Sequence, residues 1–148
     1  MLDLTDILAM WKVDCVIDKN HIDDASLEAI RCHAKYLEFL GIVKGLRHKK
    51  EQQQHILLRD KWLYYSGKMT QPEMDERHWP YDPFKGARVM KSDYPKYFEA
   101  DTELQASEEA IAKLKTTQET LEEIVGTLRW RSQHLKNIID WRKFEAGV

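Results

Sequence analysis

Residues 57–68, LLRDKWLYYSGK, bring three cations (Arg59, Lys61 and Lys68) together with three aromatic rings (Trp62, Tyr64 and Tyr65). On a helix Leu58, Trp62 and Tyr65 share one face and Leu57, Lys61 and Tyr64 the next, with Arg59 beside Trp62 at i+3. Cations and rings therefore alternate around the helix end. Such a surface can hold groups that are flat and anionic: phosphates displace counterions onto Lys and Arg, and unstacked bases rest on aromatic faces for about 1–3 kcal/mol each. Widening the window to residues 47–68 adds Arg47, Lys49 and Lys50, giving six Lys/Arg against two acids, Glu51 and Asp60, in a chain of net charge −2. Single-stranded nucleic acid suits this pairing. In the competing reading Trp62, Tyr64 and Tyr65 are core and the cations a solvated face, since aromatic stripes at helical spacing commonly pack inward.

Other chemistry is not indicated. The chain has no P-loop, dinucleotide-binding glycine motif, HExxH or GxSxG, so no catalytic residues are assigned and a non-enzymatic protein is expected. The six histidines fall into no ligand spacing with Cys15 or Cys32, and neither a metal nor a cofactor is expected. Two cysteines without a CxxC read as free thiols in a reducing compartment. Glu108, Glu109, Glu119, Glu122 and Glu123 read as the solvated face of a helix. Trp79, Tyr81 and Phe84, in RHWPYDPFKG, could stack on bases or dock onto the chain's own helices.

The elements that must position these groups are helices. With 148 residues, 43% hydrophobic and 32% charged, the chain has the size of one domain, and its mean hydropathy is low for a molecule that builds its whole core alone. No apolar run approaches the roughly 18 residues of a membrane span, and the first residues lack the basic start of a signal peptide. Leu4, Ile7, Leu8 and Trp11 recur at helical spacing, and VDCVID (residues 13–18) reads as a short extended break. A long helix should follow, capped by Asp23 or Asp24 and ending at Tyr65, with Gly67 as the left-handed stop. Its polar stretch, residues 47–55, must cross solvent or touch a charged ligand. All four prolines lie between residues 69 and 100, a link where regular structure is interrupted.

From residue 102 to 144, Leu114, Leu121, Leu128 and Leu135 recur every seven residues, with Leu104, Ile111, Val125 and Ile139 in companion positions and Ile124 and Ile138 widening the stripe. One continuous helix of this length would run roughly 65 Å. These ten positions are the expected oligomerisation seam, the alternative being an intramolecular hairpin with the preceding long helix. The expected organisation is all-α: residues 1–68 as a helical region bearing the nucleic-acid site, 69–100 as the link, and 101–148 as the association helix.

YYSGK (residues 64–68) preceded by Arg59 and Lys61, the ending WRKFEAG (141–147) and the early DCVID (14–18) resemble the UvsY recombination mediators of T4-like bacteriophages. The resemblance implies small helical proteins that assemble through the C-terminal region into ring-like hexamers or heptamers. It implies binding of single-stranded DNA and loading of a RecA-like phage recombinase against the phage single-strand binding protein, in the cytoplasm of the bacterial host. Arg59 and Lys61 fall on the two basic residues of that family's DNA-binding motif. A coiled-coil adaptor that binds only protein is the alternative.

Overall fold

The protein is represented by a computed structural model that describes residues 3–147. Among these the architecture is all-helical, with six α-helices and one 3-10 turn. Asp3 caps α1 (Leu4–Asp14) by accepting the Leu4 amide at 2.8 Å. The helix continues through Val13 and Asp14, so of the break expected over residues 13–18 only residues 15–18 lie outside the helix. Helix α2 (Ile22–Tyr65) is 44 residues long and passes through Gly41 and Gly45 without interruption. Asp23 and Asp24 lie in its first turn, where they face the positive end of the dipole. At the other end Gly67 takes φ 74°, the Lys68 amide donates to Leu63 O at 2.9 Å and the Gly67 amide to Tyr64 O at 3.2 Å. This paired closure satisfies carbonyls that the helix itself cannot.

The link is more regular than its prolines suggest. Helix α3 (Gln71–Arg77) and helix α4 (Tyr94–Ala100), the latter preceded by a 3-10 turn (Lys91–Asp93), occupy its two ends. Pro72 and Pro95 sit in the first turns, where an imino nitrogen forfeits no hydrogen bond and its fixed φ suits a helix. The expected single C-terminal helix is two helices, α5 (Thr102–Arg129) and α6 (Arg131–Glu145). They part at Trp130, whose φ −90° and ψ 0° lie at the edge of the right-handed helical region. Leu128 and Leu135 keep the seven-residue period across the break, so the pattern does not reveal it.

The chain forms two compact units, residues up to Leu46 together with those from Lys113 onward, and residues 47–112. In the first, Ile7 of α1, Tyr36, Leu40 and Val43 of α2, and Leu121, Ile124, Val125 and Leu128 of α5 make one buried cluster. Trp11 meets Tyr36 edge-on with centroids 5.6 Å apart, and Tyr36 meets Phe39 likewise at 5.8 Å. The buried Tyr36 hydroxyl donates to Asp14 at 2.8 Å, and Lys35 pairs with the same carboxylate oxygen at 2.6 Å. Burial pushes the Asp14 carboxyl up, but these donors outweigh it and hold it below the usual carboxylate range. Arg131 donates to Cys15 O at 3.2 Å and Arg142 to Lys19 O, joining α6 to the loop after α1.

The second unit has its own cluster, Tyr64, Tyr65, Met69, Met74 and Trp79, backed by Phe84, Tyr97 and Phe98. Trp79 and Phe84 of the link thus dock on the end of α2, while Tyr81 is exposed. Of the ten seam positions, Leu104, Leu121, Ile124, Val125, Leu128 and Leu135 are buried within the chain. Ile111, Leu114 and Ile138 are half-buried and Ile139 is exposed. The intramolecular alternative thus accounts for the four buried α5 residues of the first cluster, because α1 and α2 supply the surface they need.

Leu121 is wholly buried in the first cluster, so Leu121→Ala should lower the unfolding free energy by about 2–5 kcal/mol. Urea denaturation should give the same loss at low and high protein concentration. A loss that grows on dilution would place Leu121 between copies instead.

Candidate nucleic-acid interface

The three cations at the end of α2 have different fates. Lys61 is only 4% exposed, its ammonium 2.9 Å from Asp101 Oδ2 and 3.5 Å from Glu103 Oε1. The same ammonium stands 4.1 Å from the centroid of the Trp79 ring, whose Nε1 donates to Glu103 at 2.6 Å. Asp101 accepts the Tyr65 hydroxyl at 2.6 Å through Oδ2, and the Glu103 and Leu104 amides at 3.0 and 3.1 Å through Oδ1. It is the N-cap of α5, and it is joined to the last turn of α2 through both Lys61 and Tyr65. Burial pushes its carboxyl up, but Tyr65, Lys61 and the Leu104 amide outweigh that and hold it below the usual carboxylate range. Burial first, and then the bond to Asp101, push the Tyr65 hydroxyl well above the ordinary tyrosine range.

Tyr64 is also buried, its hydroxyl donating to Pro80 O at 2.6 Å and its ring centroid 5.0 Å from that of Trp79. Lys61, Tyr64 and Tyr65 therefore follow the core reading. Arg59 and Lys68 are exposed, and so is Trp62, at 46%. Arg59 donates through Nε and Nη2 to Asp60 Oδ1 at 3.1 and 3.0 Å, and Arg77 pairs with the other oxygen of that buried carboxylate. Lys68 carries its ammonium 4.5 Å from the Trp62 ring centroid. Further back on α2, Lys49 and Lys50 are exposed with no carboxylate partner among the described residues, while Arg47 is half-buried and pairs with Glu51 at 3.0 Å. The structure thus divides one basic and aromatic stretch into an inward set that holds the helix end and an outward set left to solvent.

Asp101 and Glu103 belong to the inward set although no motif singles them out. A signal is nonetheless present: an Asp immediately before the heptad pattern is a preferred N-cap, and Lys61 and Tyr65 stand one turn apart on one face of α2. No metal-binding group of His, Cys, Asp and Glu occurs among the described residues, and none of their helices is long and apolar enough to cross a membrane.

Fold and site together define a class: an all-helical protein with two cores, one of which displays cations and an indole at the end of its longest helix. A family model described as recombination, repair and ssDNA binding protein UvsY matches residues 10–148, and the chain belongs to the UvsY family. Crystal structures of the bacteriophage T4 recombination mediator protein UvsY share the fold. One lattice type superposes with a TM-score of 0.82 at 20% identity, covering 99% of this chain and 99% of that chain. Another gives 0.79 at 19% identity, covering 97% and 99%. No curated protein sequence matches the chain.

Lys61→Ala strips the cation from a buried pair, which typically costs about 3–5 kcal/mol. Arg59→Ala removes an exposed guanidinium from a carboxylate that Arg77 still holds, and should cost less, about 1 kcal/mol. Thermal or urea unfolding of both variants checks the contrast. Because the folded pKa of Asp101 lies below its unfolded value, its contribution is complete above about pH 4 and is lost as pH falls through the folded value. Asp101→Asn should accordingly flatten the acid limb of the stability profile.

Proposed function

We propose that this protein is a non-enzymatic recombination mediator that binds single-stranded DNA as an oligomer and promotes loading of a RecA-like phage recombinase against the phage single-strand binding protein in the host cytoplasm. The observation that carries the reading is the exposure of Arg59, Trp62 and Lys68 at the end of α2, within the residues that the family model matches. Phosphates are held by Arg59, Lys68, Lys49 and Lys50, and Arg47 joins them when it leaves Glu51. Lys61, Tyr64 and Tyr65 act as positioning residues that fix the helix end from which the contacts project. Each site is weak and its binding depends on salt.

Association supplies the strength. A hexamer or heptamer would present several such patches to one strand, so that avidity replaces single-site affinity. The surface for it is the face that the chain does not cover itself. Ile139, Trp141 and Phe144 on α6 are exposed, the last two with ring centroids 5.7 Å apart, and half-buried Ile138 lies beside them. Holding the strand extended displaces the single-strand binding protein locally and offers the recombinase a seat.

In reconstituted strand exchange with the cognate recombinase and single-strand binding protein, adding this protein should shorten the lag before filament assembly; no effect at any stoichiometry would overturn the mediator reading. Lys49→Ala with Lys50→Ala should weaken single-strand binding and reduce the salt slope by about 0.7 for each phosphate that is no longer neutralised. A salt-insensitive chain that binds only protein would be the adaptor.

A further inference from the structure

The second unit contains a cleft of about 430 Å³ between the end of α2 and the 3-10 turn with α4, lined by Trp62, Ser66, Lys68, Lys91, Tyr94 and Phe98. Its aromatic wall is braced from behind. Tyr94 stacks on Phe84 with centroids 5.8 Å apart at an interplanar angle of 15°, and Phe98 meets Tyr65 at 5.3 Å. Trp62 differs, being half exposed, stacked on no other ring among the described residues and carrying the Lys68 ammonium 4.5 Å from its centroid. Lys68 and Lys91 are both exposed and have no carboxylate partner among the described residues, and no acid lines the cleft. The volume falls in the range of about 300–1,000 Å³ typical of small-ligand pockets.

From this arrangement we infer that the cleft is a pocket for one nucleotide of a single strand, an inference that rests on the single-strand reading above. The base lies against Trp62 and the Tyr94 and Phe98 wall, and its phosphate meets Lys68 and Lys91. An apolar peptide would leave both ammonium groups unanswered, whereas a nucleotide supplies a flat ring and an anion to the same cleft. A duplex is excluded because its bases are already stacked and paired. The ammonium of Lys68, now held only by the indole face, exchanges that partner for a phosphate when the ring is taken. The link is then part of the binding surface, since the 3-10 turn and α4 provide one of its two sides, and the pocket adds a stacking contribution that cations alone lack.

The test compares wild type, Trp62→Ala and the double variant Lys68→Ala with Lys91→Ala on oligothymidylate and on an abasic oligonucleotide of equal length, with helical content checked for each. Trp62→Ala should weaken oligothymidylate binding by about 5- to 100-fold and leave abasic binding unchanged. The lysine pair should weaken both. If wild type binds oligothymidylate and Trp62→Ala binds it equally well, the pocket is refuted while the single-strand reading stands. Equal weakening on the two strands would remove the stacking role, and full binding by the lysine variant would remove the phosphate role. A wild type that binds neither strand would overturn both the pocket and the reading beneath it.

Discussion

The carboxylate of Asp101 does two structural jobs at once. One oxygen takes the free amides that open α5, and the other takes the Tyr65 hydroxyl and the Lys61 ammonium from the last turns of α2. Neither job is easily filled by another group, because the site is almost closed to water and an unpaired charge there would be far more costly than the pair is worth. Glu103 and Trp79 extend the arrangement into the link, with the indole over the Lys61 ammonium and its Nε1 donating to the Glu103 carboxylate. What Asp101 fixes from inside, α2 displays outside: Trp62 follows Lys61 directly in sequence, but it faces solvent.

That alternation explains why the site is only partly legible in the residues. Arg59 and Lys61 are chemically alike and both suit a phosphate, yet one reaches solvent and the other is closed in by residues more than 15 and about 40 positions away, a pairing that no local pattern encodes. Tyr64 and Tyr65 obey the general tendency of aromatic stripes to pack inward, and Trp62 does not. The end of α2 is plain from Ser66 and Gly67, since a left-handed residue is needed there. The break at Trp130 is hidden because the leucine period runs through it. The same period does not say whether its partner is a second copy or the chain itself; Tyr36, Leu40 and Val43 decide that for the buried α5 positions. The prolines suggest interruption, whereas Pro72 and Pro95 open helices.

The division between inner and outer sets also frames the function. A chain of the UvsY family shares its fold with the T4 mediator at about one-fifth identity, so side-chain roles have to be argued from this chain's own geometry. In that geometry the inner cation maintains the helix end, and Trp62, Lys68 and the Asp60-paired Arg59 face solvent, where the proposed function has them meet a strand. On the proposed function, weak exposed contacts of this kind would hold DNA only by repetition, and the apolar face left open on α6 is the surface proposed for it.

The central claim is that a single strand meets the outer set at the end of α2 and not the inner one or the face of α6. Photo-crosslinking to an oligonucleotide carrying iododeoxyuridine, followed by peptide mass spectrometry, tests it directly because the reaction favours aromatic side chains in contact with the base. Adducts at Trp62, with or without Tyr94, are the predicted result. Adducts confined to Trp130, Trp141 or Phe144 would contradict the account and move the strand to the other unit.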